Sequence, residues 1–413
     1  MIPLQPATAP AAPDVAHLLR PGTLRLPALP PLALYVHFPW CVRKCPYCDF
    51  NSHEAAGGVA AIPEARYLDA LRADLEAALP LVWGRRIVSI FFGGGTPSLM
   101  GAAGLDRLLS DLRARLPLEP DCEITLEANP GTFESAKFTA FRAAGVGRLS
   151  IGVQSFDDVQ LHRLGRVHDR AQALAAIEAA QRDFDNFNLD LMYALPEQAP
   201  EAMRADVELA LRLAPPHLSL YQLTIEPNTV FAKRPPQLPD EDTSAAMHEW
   251  IEERTAAAGY EHYEVSAYAR PGRACRHNLN YWQFGDYLGI GAGAHSKISF
   301  PGRILRQARL RQPASYIEGA LGGMPLAESA EVGRRDLAFE FMLNALRLSD
   351  GVPTRLFAER TGLPMSALEP ALREAERRGL LTADVERIAP TALGRRFLSD
   401  LQALFLPTHQ KEA

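Results

Sequence analysis

From residue 32 to residue 223 the chain alternates short apolar runs with longer stretches of helical periodicity. Apolar runs at 32–37, 87–92, 122–127, 148–152, 186–191 and 218–223 read as strands. Between the first two, Leu68, Leu71, Leu75 and Leu79 fall on one face of a helix over 66–79. Further helices are expected at 102–116, 134–144, 157–164, 170–183 and 201–213. The run at 87–92 is apolar without a break, as a strand covered on both faces requires. Six strand–helix units in succession predict an α/β fold: a parallel sheet wrapped by helices, whose natural closure is a partial (β/α)6 barrel over residues 32–225. In such folds chemistry gathers beyond the C-terminal ends of the strands.

After residue 225 the pattern changes. A proline-rich loop at 227–239 precedes a helix at 243–258 and an aromatic, strand-like run at 260–268. Residues 226–330 form a linker and α+β region that ends in a glycine-rich run over 285–293 and His295. Residues 331–413 read as a small helical domain, with helices at 335–346, 353–361 and 365–378 and a short hairpin at 379–388. The arrangement is winged-helix-like. A DNA-binding wing needs excess basic charge, but 331–413 holds 12 Lys/Arg against 12 Asp/Glu. A structural or protein-docking module is expected instead. The first 31 residues, rich in Ala and Pro, lack the charged and apolar blocks of a secretory signal and read as a mobile tail.

Composition narrows the class without naming it. Hydrophobic residues make up 47% and charged residues 22% of 413, and the formal net charge is −6. That balance gives no support to nucleic-acid binding. No stretch of about 18 apolar residues is present, so no membrane span is expected, and any membrane contact would be peripheral, through partners. Five unevenly spaced cysteines do not form a disulfide framework, which favours a reducing, cytoplasmic setting.

Three of those five cysteines, Cys41, Cys45 and Cys48, lie within eight residues just after the first strand. Soft thiolates at this density suit an iron–sulfur cluster or zinc. Zinc ribbons need a second pair, and none exists; a redox dithiol needs only two. Three ligands on one loop can grip three corners of a cubane [4Fe–4S] cluster and leave one iron open. Other polar residues sit at strand ends: Gly93-Gly94-Gly95-Thr96-Pro97 after the second strand, Glu127 at the end of the third, Gln154 after the fourth and Asp190 near the end of the fifth. Glycines let a backbone approach a ligand closely, although a glycine run alone also makes a plain turn. Asp190 lies between apolar neighbours, where a carboxylate needs a partner. Tyr35, on the first strand, could pack against a ligand or simply fill the core.

With CxxxCxxC after the first strand, the chain resembles the radical S-adenosylmethionine (SAM) superfamily over about residues 32–225. The resemblance implies that SAM chelates the open iron through its amino and carboxylate groups, and that a reduced cluster can cleave it to a 5′-deoxyadenosyl radical. It implies SAM-binding roles for Tyr35, Gly94, Gly95, Thr96, Glu127 (toward the ribose), Gln154, Arg166 and Asp190. For Arg166 a surface ion pair is an equal reading. The stretches Tyr35-Val-His-Phe-Pro-Trp-Cys41, Gly93-Gly-Gly-Thr-Pro-Ser98 and Gly152-Val-Gln-Ser-Phe156 resemble the oxygen-independent coproporphyrinogen III oxidase group, which also carries a helical C-terminal domain. Its oxidases have a further cysteine two positions after the third; here Phe50 stands there. Its haem-chaperone branch instead has CxxxCxxCDF and HNxxYW, matched by Cys48-Asp49-Phe50 and His277-Asn278-Leu-Asn-Tyr281-Trp282.

That resemblance implies three bound groups: a [4Fe–4S] cluster, SAM and haem. A neutral imidazole at His277 would suit haem iron, and Tyr281 and Trp282 would offer flat faces to a porphyrin. Asn278 would orient the imidazole or meet a propionate. Cys275 and His295 are further candidate ligands; in an extended segment Cys275 and His277 would point to the same side. Cys122 reads as a small core residue. The expected function is haem transfer to acceptor haem proteins such as respiratory cytochromes, in a monomer or a homodimer. Oxidative decarboxylation of coproporphyrinogen III is the rival activity.

Overall fold

All six predicted strands form, each within a few residues of its expected ends. The computed structural model describes residues 15–131 and 136–407. The strands are β1 (Leu32–Phe38), β2 (Ile87–Gly94), β3 (Leu118–Ala128), β4 (Arg148–Gln154), β5 (Phe187–Tyr193) and β6 (His217–Gln222), parallel and in sequence order across one sheet. The helices between them include α1 (Glu64–Val82), α2 (Ala102–Arg115), α3 (Phe138–Ala144), α4 (Asp158–Arg163), α5 (Arg170–Asp183) and α6 (Pro200–Leu213). The predicted start of α3 at Glu134 lies outside the described residues.

Alternation along the strands sorts the two faces. Leu149, Ile151 and Val153 of β4, Leu189 and Leu191 of β5, and Leu218 and Leu220 of β6 are buried on one face, in the main core. Full burial of each aliphatic chain is worth about 1.5–3 kcal/mol. The opposite face carries Arg148, Ser150, Gly152 and Gln154, then Asn188, Asp190 and Met192, then His217, Ser219 and Tyr221, and all of these line one cavity. The sheet interior is therefore polar while its helix-covered side is aliphatic.

The sheet is longer than the six predicted strands. Beyond β6, after helix α7 (Glu241–Ala257), the aromatic run at 260–268 divides into two short antiparallel strands, β7 (Glu261–Glu264) and β8 (Ala267–Ala269). On the other side, the glycine-rich run supplies β9 (Asp286–Ile290), which adds parallel to β1. β10 (His295–Phe300), β11 (Arg303–Arg309) and β12 (Leu326–Glu331) continue antiparallel, giving the order β12-β11-β10-β9-β1-β2-β3-β4-β5-β6-β8-β7. The two outermost strands are not paired with each other among the described residues, so the barrel is partial.

Short helix α8 (Arg276–Trp282) runs just before β9. This corrects the extended reading of that segment. A non-local cap explains the helix: Glu123 Oε1 of β3 accepts from the Arg276 amide at 2.9 Å, and the Arg276 guanidinium bonds Asp121 Oδ2 at 2.8 Å. α8 packs against the inward face of β1 and β2, where His277 meets Ser89, Phe91 and Tyr35. Its other side, through Leu279 and Trp282, packs on a second apolar core built by the C-terminal helices. Those helices are α9 (Leu337–Ala345), α10 (Arg355–Thr361) and α11 (Glu369–Arg377), followed by a hairpin of β13 (Leu381–Ala383) and β14 (Arg387–Pro390). Leu24 and Leu26 are buried in the same core, and their amides donate to the carbonyls of Gly302 and Pro301. Within 15–31, Leu24 and Leu26 are thus packed on the C-terminal core and Leu18 on the main core, while Leu19 and Leu29 are exposed; the remainder of the expected tail lies outside the described residues.

Candidate functional site: two cavities divided by a helix in the barrel

α8 divides the space inside the sheet. On the β3–β6 side is a cavity of about 550 Å³ lined by Cys41, Cys45, Cys48, Gly94, Gly95, Thr96, Glu127, Gln154, Arg166 and Asp190. On the β1–β9 side is a cavity of about 460 Å³ lined by Tyr35, His37, His277, Tyr281, Tyr287, His295 and Arg311. Phe50, Gly94 and Glu127 line both.

In the first cavity the cysteine loop is pinned at its base by a two-residue parallel pairing, Trp40–Cys41 with His53–Glu54. Lys44 Nζ closes the loop internally on the carbonyls of Phe50 (3.1 Å) and Ser52 (3.0 Å). The three cysteines are half-buried and free of disulfides. Burial pushes the Cys41 thiol up to about 11, and it also raises Cys48. No three His, Cys, Asp or Glu side chains among the described residues stand close enough to hold one ion. A cubane spreads its thiolates over three corners instead, and three free thiols on one loop facing a cavity fit that group.

The glycine loop forms a cradle that any side chain would fill. Gly94 has φ +117°, and a Cβ there would lie 2.5 Å from His37 Cε1. At Gly95 a Cβ would lie 2.5 Å from the Trp40 carbonyl oxygen. Only glycine gives a ligand this backbone surface. Glu127 accepts from the Gly94 amide at 3.2 Å. Surrounded by protein and beside Asp190, its carboxyl is pushed up to about 8, mainly by burial. Asp190 is also raised by burial, and hydrogen bonds from Ser150 (3.1 Å) and Asn188 (2.8 Å) satisfy it. Gln154 ends β4 in a left-handed conformation, φ +68°.

Arg166 is not at the surface. It donates to Asn129 Oδ1 (2.6 Å) and the Gly152 carbonyl (2.7 Å), and approaches Cys45 Sγ at 3.7 Å. Asn129 in turn donates to Thr96 Oγ1 at 2.9 Å. One chain of polar contacts therefore joins the glycine loop, the third strand end and the cysteine loop. Asn129 was the missed member; its place two residues after Glu127 at a strand end was the available signal.

The second motif is split by α8. His277 and Tyr281 face the second cavity, whereas Cys275, Asn278 and Trp282 face the first. Because the segment from Arg276 is helical and not extended, Cys275 and His277 do not share a side. Cys275 is buried, with its thiol 3.6 Å from Glu123 Oε1. Ser89, not Asn278, orients the imidazole: its Oγ lies 3.2 Å from His277 Nδ1. Burial lowers His277 to about 4, so the ring is neutral near pH 7, and among the described residues Nε2 has no hydrogen-bond partner. Tyr281 sits between Trp282 and Tyr287, each ring 5.0 Å away. One face of Trp282 is covered by the Arg347 guanidinium at 4.3 Å, which removes it as an open platform there. Tyr35 also faces the second cavity, its hydroxyl 3.0 Å from His37 Nδ1. Cys122 is half-buried against the main core.

A family profile described as Radical SAM superfamily matches residues 35–210, and one described as HemN C-terminal domain matches 332–397. The chain is 48% identical to the heme chaperone HemW of Escherichia coli K12, over 92% of this chain and 99% of that one. It is 46% identical to heme chaperone HemW of Haemophilus influenzae, with the same coverage, and 36% identical to that of Mycobacterium tuberculosis over 92% of this chain and 97% of that one. In fold it is similar to the Escherichia coli coproporphyrinogen III oxidase HemN, described as a radical SAM enzyme. The TM-score is 0.77 and the identity 25%, over 92% of this chain and 91% of that one.

Proposed function

Because this chain belongs to the heme chaperone HemW family of the radical SAM superfamily, we propose that it binds haem in the second cavity and hands it to acceptor haem proteins. One observation carries the assignment of the site. α8 stands inside the barrel and turns His277 toward a cavity walled by Tyr35, Tyr281 and Tyr287, with Nδ1 engaged by Ser89 and Nε2 free for iron. The first cavity takes the cluster, on Cys41, Cys45 and Cys48, and SAM. Gly94, Gly95 and Thr96 offer backbone to the SAM amino acid, Glu127 meets the ribose, and Gln154, Arg166 and Asp190 complete the polar wall. A reduced cluster held by Cys41, Cys45 and Cys48 would supply reducing power toward SAM. Arg166 holds the Cys45 sulfur and the Asn129–Thr96 link in register, and Asp190, held by Ser150 and Asn188, sets the charge facing Glu127.

On this reading respiratory cytochromes are fitting acceptors. No helix among the described residues is long and apolar enough to cross a membrane. Membrane contact would then run through the acceptors, from a cytoplasmic monomer or homodimer. The division into a SAM barrel (32–225), a haem-motif region (226–330) and a C-terminal domain (331–413) follows the same assignment. Phe50, where the oxidase branch carries a cysteine, weighs against decarboxylation.

Reconstituted protein given SAM, reductant and coproporphyrinogen III under anaerobic conditions should form no protoporphyrinogen at catalytic turnover. Haem titration should show a Soret shift that His277→Ala abolishes; an unchanged spectrum and affinity in the variant would remove His277 from the site.

A further inference from the structure

The second cavity holds two histidines that arrive from different directions. His277 enters from α8, and His295 from the first position of β10, just after the turn that leaves β9. A third, His37, also lines it, but both of its ring nitrogens are engaged, by the Tyr35 hydroxyl (3.0 Å) and the Asn51 carbonyl (2.9 Å). His295 has no hydrogen bond to either nitrogen among the described residues. Its side chain is exposed, so its imidazole can meet a ligand without leaving a buried group unpaired.

The turn that delivers His295 is held firmly. The Gly291 amide donates to Asp74 Oδ2 (3.2 Å), the Ala292 amide to the Tyr67 hydroxyl (3.0 Å), and Asn51 Nδ2 reaches the carbonyls of Ala292 and Arg311, both at 2.9 Å. Arg311, also lining the cavity, makes no ion pair among the described residues. An exposed guanidinium beside two imidazoles and three tyrosines matches the chemistry of an iron porphyrin carrying carboxylates.

Resting on the reading above that the second cavity takes haem, we propose that His295 is the second axial ligand, so that the iron is held between His277 and His295, with Arg311 facing a propionate. Two neutral imidazoles saturate the iron. A carrier that saturates its cargo keeps the iron from binding and activating oxygen, and the exposed ligand is the one an acceptor can displace first.

The test is a ferric haem titration of the cluster-loaded protein, followed by absorption and electron paramagnetic resonance. Wild type should be six-coordinate and low-spin. His295→Ala should turn high-spin and bind haem roughly tenfold more weakly or worse, the lower end of what even outer-shell changes cost at metal sites. Added imidazole should restore the low-spin spectrum in that variant, which also shows that its pocket is intact. A low-spin His295→Ala complex of unchanged affinity would overturn the proposal, as would a high-spin wild type. The reading of the cavity fails separately: if His277→Ala binds haem as wild type does, the cargo lies elsewhere and both assignments fall.

Discussion

Asp74 on α1 lies far from either motif in sequence, yet its loss should loosen the second cavity. Its carboxylate accepts from Arg309 Nε (3.2 Å), the Tyr316 hydroxyl (2.9 Å) and the Gly291 amide (3.2 Å). Both charged side chains are only 1% exposed, so neither is screened by water. Asp74→Ala leaves the Arg309 guanidinium buried without its counter-charge, although Ser296 Oγ still accepts from Nη1 at 2.7 Å. Breaking a buried pair from one side costs about 3–5 kcal/mol. For a chain of this size that is a fall in melting temperature of about 3–6 °C. The double variant Asp74→Ala/Arg309→Met removes the stranded charge and should melt above Asp74→Ala alone, since contacting groups do not add. Thermal unfolding of the anaerobic, cluster-loaded protein gives the first readout. Hydrogen exchange over 289–296 gives the second, and should accelerate because the Gly291 amide loses one of its two acceptors and the other, the Tyr316 hydroxyl at 3.0 Å, loses the carboxylate it donates to. A single variant that melts with wild type, or a double variant that costs as much as the two single changes summed, would refute the argument.

Other outcomes follow from the shared wall and the cysteine loop. Gly94→Ala forces a Cβ into the His37 ring at a φ of +117°; SAM binding measured by equilibrium dialysis should fall at least about tenfold, a strain of roughly 1–3 kcal/mol, while cluster iron is retained. Cys48→Ser should cost most of the cluster iron, and a full complement by iron and sulfide assay would contradict the assignment. Burial raises the Glu127 carboxyl from 4.5 to about 8, so the folded state holds its proton more tightly than the unfolded state does. The stability it contributes is present below about pH 4.5 and is lost as pH rises toward 8. Glu127→Gln, permanently neutral, should therefore gain melting temperature relative to wild type between pH 6 and 8.5; parallel pH profiles would contradict that shift. Because Gly94 and Glu127 line both cavities, SAM should change haem affinity, and haem should change SAM affinity by the same factor, as linkage requires. Equal haem dissociation constants with and without SAM would exclude coupling through that wall.

The parallel core was legible because its signals are local. Each of the six strands is an apolar run, each helix carries its own period, and α5 even has a capping box in which Asp169 and Gln172 exchange bonds. What escaped was non-local. β9 contains Gly289 and begins at Asp286, which reads as turn rather than strand. It becomes a strand because it pairs with β1, and because Asp286 is buried against Arg85 (2.8 Å), Lys297 (2.9 Å) and Ser299. α8 likewise depends on Glu123, some 150 residues upstream, to take its first amide. The polar interior was written in the sequence as a period of two, Arg148-Ser150-Gly152-Gln154 and His217-Ser219-Tyr221, but strand ends drew the reading toward single residues. Cys41, Cys45 and Cys48 were found together because one loop carries them. His277 and Asn278 were grouped for the same reason, and there adjacency misled: neighbours on a helix point into different cavities.

The same geometry gives the barrel two compartments. An uninterrupted lumen would offer the space beside the cysteines to whatever lies on the far side of β1 and β2. α8 fills that space, anchored at its start by Glu123 and packed on its outer side by the C-terminal core through Leu279 and Trp282. The C-terminal domain is therefore part of the site without lining its second cavity: it holds the helix that makes the partition. Only the upper rim stays common to both compartments, at Phe50, Gly94 and Glu127. Glu127 is neutral for most of the time near pH 7 and is bonded to the Gly94 amide. A ligand that bonds Glu127 on the cysteine side shares that carboxyl with the Gly94 amide, and the Gly94 backbone borders the ring of His37 in the other cavity. Each compartment thus meets the other at the rim formed by Phe50, Gly94 and Glu127, and that rim is where binding on one side would be felt on the other.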